Sequence, residues 1–211
     1  STKSSTTALS SDWSKFGEKS FFVDETDINN WLFQEQSFYQ GKSFNVAFWI
    51  KFDYLLEIDS TFKFHILTFD SFMTAYINLS IEKVSGKDNP NFDIFLHTGE
   101  EEWTRKIDFA LLPNESYYIA FMYNSLDNTI YFSINDNIFT AGLVNSSWET
   151  SAAFSFSFYA WKNHFSDIDT SLYFYTLVDE LFYSFDTIVD PQVFVNHYYN
   201  DIAWGKEYAT E

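Results

Sequence analysis

From residue 44 to 52 the chain alternates without a break. Phe44, Val46, Phe48, Ile50 and Phe52 fall on one side of an extended segment, and Asn45, Ala47, Trp49 and Lys51 on the other. A period of two marks a pleated strand with one face toward a core, and it does not suit a helix. The pattern recurs along the chain. Met73, Ala75, Ile77, Leu79 and Ile81 oppose Asn78, Ser80 and Glu82, which predicts one wet face. Phe154, Phe156 and Phe158 alternate with Ser155, Ser157 and Tyr159. Further strand-like runs cover 19–23, 62–69, 92–97, 103–109, 117–123, 129–135, 138–140 and 171–184. Asn- and Asp-rich turns separate them: 124–128 reads as a hairpin connection and 135–137 as a second tight turn. A helical pattern appears only after Asp190-Pro191, an N-cap followed by proline at the first helical position. There Val193 pairs with His197, and Phe194 with Tyr198, at i, i+4. The expected fold class is all-β, a sandwich of two antiparallel sheets with a short C-terminal helix.

Composition supports a core large enough to stand without staples. The 211 residues are 46% hydrophobic and 22% aromatic, and the aromatic bias suits half-buried strands. One sandwich is expected over 12–204. It is preceded by a Ser/Thr-rich arm at 1–11 and followed by a tail at 205–211. The arm has one Leu, one Ala and no aromatic residue, so it needs a sheet edge to order it. That edge belongs to this chain or to a neighbouring subunit, and the neighbour is the one expected.

Charge narrows the partners. A net charge of −18 argues against nucleic acid, which is bound by displacing counterions from phosphate, and against anionic lipid. Cysteine is absent, which excludes disulfides, thiolate metal sites and a cysteine nucleophile. No apolar run approaches the roughly 20 residues of a membrane-spanning helix. Three N-glycosylation sequons, at Asn78, Asn114 and Asn145, permit a secreted protein, in a chain whose composition yields such triplets by chance.

Three segments in order resemble the laminin-G-like branch of the concanavalin A-like lectin/glucanase superfamily. The first is Lys15-Phe16-Gly17-Glu18-Lys19-Ser20-Phe21-Phe22-Val23-Asp24 with the strand Phe44-Asn45-Val46-Ala47-Phe48-Trp49-Ile50-Lys51. The second is Tyr117-Tyr118-Ile119-Ala120-Phe121-Met122-Tyr123 with Ile130-Tyr131-Phe132-Ser133-Ile134-Asn135-Asp136-Asn137. The third is Leu177-Val178-Asp179-Glu180-Leu181-Phe182-Tyr183 with the helix that follows. The chain departs from the family's pattern where Tyr118 replaces an aromatic-His pairing. It departs again where Asn137 replaces a turn glycine, although asparagine tolerates the left-handed conformation such a turn needs. The resemblance implies a jelly-roll sandwich. It also implies a structural calcium ion held between Asp24 with Glu25 and Asp179. The plainer alternative makes Asp24 a turn residue and Asp179 a capped carboxylate in a sheet.

Catalytic signatures are missing. The superfamily's glycosidases carry a Glu-x-Asp-x-(x)-Glu strand. Here Glu57-Ile58-Asp59 is followed by Ser60, Thr61 and Phe62, without the third carboxylate. His65, His97, His164 and His197 share no metal-ligand spacing. Trp103, Tyr159 and Trp161 lie near predicted loop ends, where an aromatic face can stack on a sugar; each also suits a core. The expectation is a non-enzymatic recognition or adhesion module at an extracellular, cell or particle surface, binding glycan or protein. The alternative is a structural subunit of a filament, appendage or virion coat assembled through the arm.

Overall fold

The computed structural model describes residues 8–10, 13–24, 32–39, 43–53, 62–70, 75–83, 91–98, 101–107, 109, 111–112, 115–143, 153–161, 175–185 and 187–200. Side chains are described for 13–20, 43–51, 107, 109, 111–112, 115–140, 177–184 and 187–200.

The strands are β1 (Ala8–Ser10), β2 (Ser20–Asp24), β3 (Leu32–Tyr39), β4 (Phe44–Asp53), β5 (Phe62–Asp70), β6 (Ala75–Lys83), β7 (Asn91–Thr98), β8 (Glu101–Ile107), β9 (Ser116–Asn124), β10 (Thr129–Ile134), β11 (Asn137–Leu143), β12 (Ala153–Trp161) and β13 (Tyr175–Phe185); the helix is α1 (Pro191–Asn200). They form a seven-stranded sheet, β1-β2-β13-β4-β9-β10-β11, and a six-stranded sheet, β3-β12-β5-β6-β7-β8. Every pairing is antiparallel. The described residues are therefore all-β with one short helix.

Two strands were not anticipated. The segment Leu-Phe-Gln-Glu-Gln-Ser-Phe-Tyr of β3 lacks strict alternation. It is an edge strand, tied to β12 alone through a register shift between Phe154 and Ser155. An edge strand that itself carries extra residues, Gln36 and Ser37 between Glu35 and Phe38, needs no clean period of two. The second is β1, from the Ser/Thr-rich arm. Its expected contact was a neighbouring subunit; Ala8, Leu9 and Ser10 instead pair with Phe22, Phe21 and Ser20 of the same chain. Backbone pairing orders a polar segment without an apolar side chain to bury.

The centre of the seven-stranded sheet is buried on both faces. In one cross-strand row Val46 meets Phe121, and Phe121 meets Phe132; in the next Phe48 meets Ile119, and Ile119 meets Ile134. All six are fully buried, and Phe44 stacks on Phe121 with ring centroids 6.0 Å apart. The opposite face carries Ala47, Trp49, Tyr118, Ala120 and Met122, packed with Phe194 of α1. Trp13, Phe16, Tyr131, Phe182, Val189 and Tyr198 surround that cluster. Asn45, on the side predicted to be less apolar, is also buried and donates from Nδ2 to Ser184 Oγ at 3.0 Å and Thr187 O at 2.8 Å.

The helix starts where the sequence places it. Asp190 Oδ1 accepts from the Gln192 N–H at 2.9 Å, and Pro191, which lacks an N–H, occupies the first position. Its packed side is Phe194, Val195 and His197, while Val193 is exposed, so only the Phe194–Tyr198 pair of the two expected pairs faces the sheet. The β9–β10 connection spans 125–128, one residue shorter than the predicted 124–128, because Asn124 ends β9. In the two turns of this hairpin region the left-handed residues are Asn128 and Asn135, each at φ 53°, and not Asn137.

Candidate functional site

The best-defined polar feature of the described residues is the Asp179 carboxylate. It is buried, 8% exposed, on β13 in register with Trp49 and so on the α1-covered face. Oδ2 accepts from the backbone N–H of Lys15 at 2.7 Å and of Phe16 at 3.0 Å; Oδ1 accepts from the N–H of Glu180 at 2.9 Å. A buried carboxylate needs such donors, because desolvation otherwise favours its neutral form. The Glu180 donor is available because the β13–β4 register shifts between Asp179 and Phe182, with Glu180 at φ 52°. Above the same row the Lys15 ammonium sits 4.1 Å from the Trp49 ring centroid. This is the capped-carboxylate alternative for Asp179.

Around Trp49 the rings form a chain. Trp49 lies 5.4 Å from Tyr118 and 5.7 Å from Tyr198, and Tyr118 lies 5.5 Å from His197. His197 of α1 thus packs against Tyr118. Trp49 Nε1 and Ser133 Oγ are buried and have no hydrogen-bond partner among the described residues. Next to this cluster a cavity of about 100 Å³ is lined by residues that include Asn45, Met122, Tyr131, Val189 and Asp190. That is the space of a few water molecules and less than small-molecule pockets require.

The residues singled out in the sequence are distributed as follows. Asp24 ends β2 opposite Tyr175, four residues along β13 from Asp179, or about 14 Å of extended chain. The Asp24 side chain, Glu25, Glu57 and Asp59 lie outside the described residues, so the register alone does not bring the three expected calcium ligands together. Among the described residues no group of three acidic or histidine side chains is arranged for a metal.

The three expected sugar platforms fall on the six-stranded sheet but in different rows. Trp103 of β8 pairs with Leu96, which continues through Ile77 and Phe69 to Phe156, an apolar row. Trp161 of β12 pairs with His65, which continues through Ser80 and Asp93 to Lys106, a polar row. Four strand spacings, roughly 19 Å, separate β8 from β12. Register therefore sets Trp103 apart from Trp161, while Tyr159, two residues earlier on β12, falls within the register shift between Phe158 and Trp161. Asn78 is a mid-strand residue of β6, paired with Thr68 and Phe95; Asn114 and Asn145 lie outside the described residues.

Sequence reasoning did not find the Lys15–Phe16–Asp179 contact or the aromatic cover provided by α1. The only local signal was a carboxylate inside an apolar strand, and its donors come from 163 and 164 positions away.

The same arrangement of strands occurs in solved toxin domains. The chain matches the botulinum neurotoxin serotype C1 binding domain with a TM-score of 0.65 and 12% identity over 93% of this chain and 46% of that one. It matches a structure of botulinum neurotoxin type C, whose cell entry depends on interaction with two ganglioside molecules, at a TM-score of 0.64 and 14% identity, over 93% and 45%. The binding domain of botulinum neurotoxin DC in complex with rat synaptotagmin II gives 0.63 and 13%, over 93% and 46%. The chain thus spans about half the length of these structures, and at such identity the likeness is one of fold. No protein-family model and no curated protein sequence matches the chain. The laminin-G-like resemblance is carried by the sequence motifs alone.

Proposed function

We propose that this chain is a non-catalytic recognition module of concanavalin A-like, jelly-roll architecture that binds glycan or protein at an extracellular or particle surface. The observation that carries the reading is the match of 93% of the chain to a toxin binding domain at a TM-score of 0.65. The sequence agrees, since the Glu57-Ile58-Asp59 segment lacks the third carboxylate of a glucanase strand. The ganglioside and synaptotagmin belong to the neighbours and supply the classes to screen. Tyr159 and Trp161 are the proposed sugar-stacking pair, in line with the polar row that His65, Ser80 and Asp93 continue.

The test is a glycan array that includes sialylated and ganglioside headgroups, with a panel of receptor ectodomains beside it, probed with the chain and with Trp161→Ala. Binding lost in the variant supports the assignment. Binding retained moves the site away from β12, and no binding on either panel overturns the reading. A calcium ion held by Asp24, Glu25 and Asp179 is a separate proposal. Any ion at Asp179 competes with three N–H donors. If the ion is bound, chelator lowers the melting temperature of the native chain by mass action and Asp179→Asn abolishes that sensitivity; an unchanged melting curve removes calcium from the account.

A further inference from the structure

We propose that residues 13–19 form a strap over the aromatic face of the seven-stranded sheet that opens as a local unit, with the Asp179 carboxylate as its latch. Four observations carry this. First, the segment lies outside the strands and the helix. Among the described residues, no backbone–backbone hydrogen bond outside those elements involves it. Second, its backbone meets the sheet at side chains: the Asp179 carboxylate accepts from two consecutive N–H groups, those of Lys15 and Phe16, and Ser20 Oγ of β2 donates to Trp13 O at the segment's start. Third, the side chains of Trp13, Lys15 and Phe16 are half-buried while Gly17, Glu18 and Lys19 are exposed, so the strap covers the cluster without being enclosed by it. Fourth, the floor beneath is sealed at its other side by α1 through Phe194 and Tyr198, which gives Trp49 cover that does not depend on the strap.

The latch is assembled by β13 itself. The bulge at Asp179–Phe182 and the left-handed Glu180 turn the Glu180 N–H onto Asp179 Oδ1, which leaves Oδ2 to the strap. Segments held by side-chain anchors rather than by a backbone ladder open at lower free energy than ladder strands do. Opening bares the Trp49 ring, which Lys15 covers at 4.1 Å in the closed state. It also exposes the Trp49 indole N–H, which has no acceptor among the described residues when closed. The inference does not depend on which ligand the chain binds.

Amide hydrogen exchange of the full chain in graded urea tests it. The Lys15 and Phe16 amides should exchange at least about tenfold faster than those of β9, at a rate almost independent of urea below the unfolding transition, as local openings do. Asp179→Asn leaves one side-chain oxygen, and a competing amide NH2, for three converging N–H donors. It should speed strap exchange about tenfold further and leave β9 and β10 unchanged. Strap amides that follow the same urea slope as β9, or a variant in which all segments accelerate together, overturn the latch. Where Asp179→Asn fails to fold, the urea series on the unmodified chain decides alone.

Discussion

Phe48 is wholly buried in a row with Ile119 and Ile134, between neighbours that are themselves strands of the sheet centre. Truncating it removes transfer energy and leaves a cavity that rigid strands cannot close. Phe48→Ala is expected to cost about 3–5 kcal/mol, read from urea unfolding; a loss below about 1 kcal/mol assigns the wrong row to the core. Ionisation adds a second residue-scale test. Burial raises the pKa of the Tyr117 phenol; a backbone hydrogen bond from Leu112 opposes that shift and Glu115 adds to it. Burial, followed by Asp127, raises Tyr131; the hydrogen bond to Asp136, first among its causes, raises Tyr199. A phenol whose folded pKa lies above its unfolded value of about 10 keeps its proton longer in the native state. Its contribution is intact below that pH and is lost as pH rises through the folded value. The urea midpoint should therefore fall as the pH rises above about 10. Tyr117→Phe should reduce that fall, after losing about 1 kcal/mol at neutral pH with the Leu112 hydrogen bond. An alkaline profile identical in the variant excludes Tyr117 as a source.

At the scale of elements, α1 converts an ordinary sheet face into a second core. Phe194 is fully buried and lies 6.0 Å from Phe182, whereas Val193, its chain neighbour, is 44% exposed. Phe194→Ala should cost about 3–5 kcal/mol and Val193→Ala no more than about 0.5 kcal/mol. Equal losses in chemical unfolding would place the wrong side of the helix on the sheet. The strand β1 is the opposite kind of element, with backbone pairing to Phe22, Phe21 and Ser20 and two apolar residues, Ala8 and Leu9. Because that pairing lies within one chain, deleting residues 1–11 should leave the native mass by light scattering unchanged. A lower mass in the deletion variant would mean that these residues bridge copies.

For the whole molecule, two antiparallel sheets carry different faces to different uses. The seven-stranded sheet has both faces of its central strands covered, one of them by α1. The register of the six-stranded sheet separates an apolar row, Phe156-Phe69-Ile77-Leu96-Trp103, from a polar one that begins at Trp161.

The sequence by itself determined the all-β class, most strand positions, the Asp190-Pro191 helix start and the buried row of Phe44, Val46, Phe48 and Ile50. Each of these rests on residues close together in the chain: alternation, turn chemistry and capping act within a few positions. Tertiary structure decided what alternation cannot encode. Trp49, on the side opposite the predicted core row, is buried because α1 and the 13–16 segment pack over it, although both come from elsewhere in the chain. Trp103 and Trp161 read alike in sequence, yet strand register puts them in different rows. Asp179 is visible in the sequence only as a charge in an apolar strand. Its meaning lies in two N–H groups more than 160 residues away, and only closure of the sheet brings them within hydrogen-bonding distance.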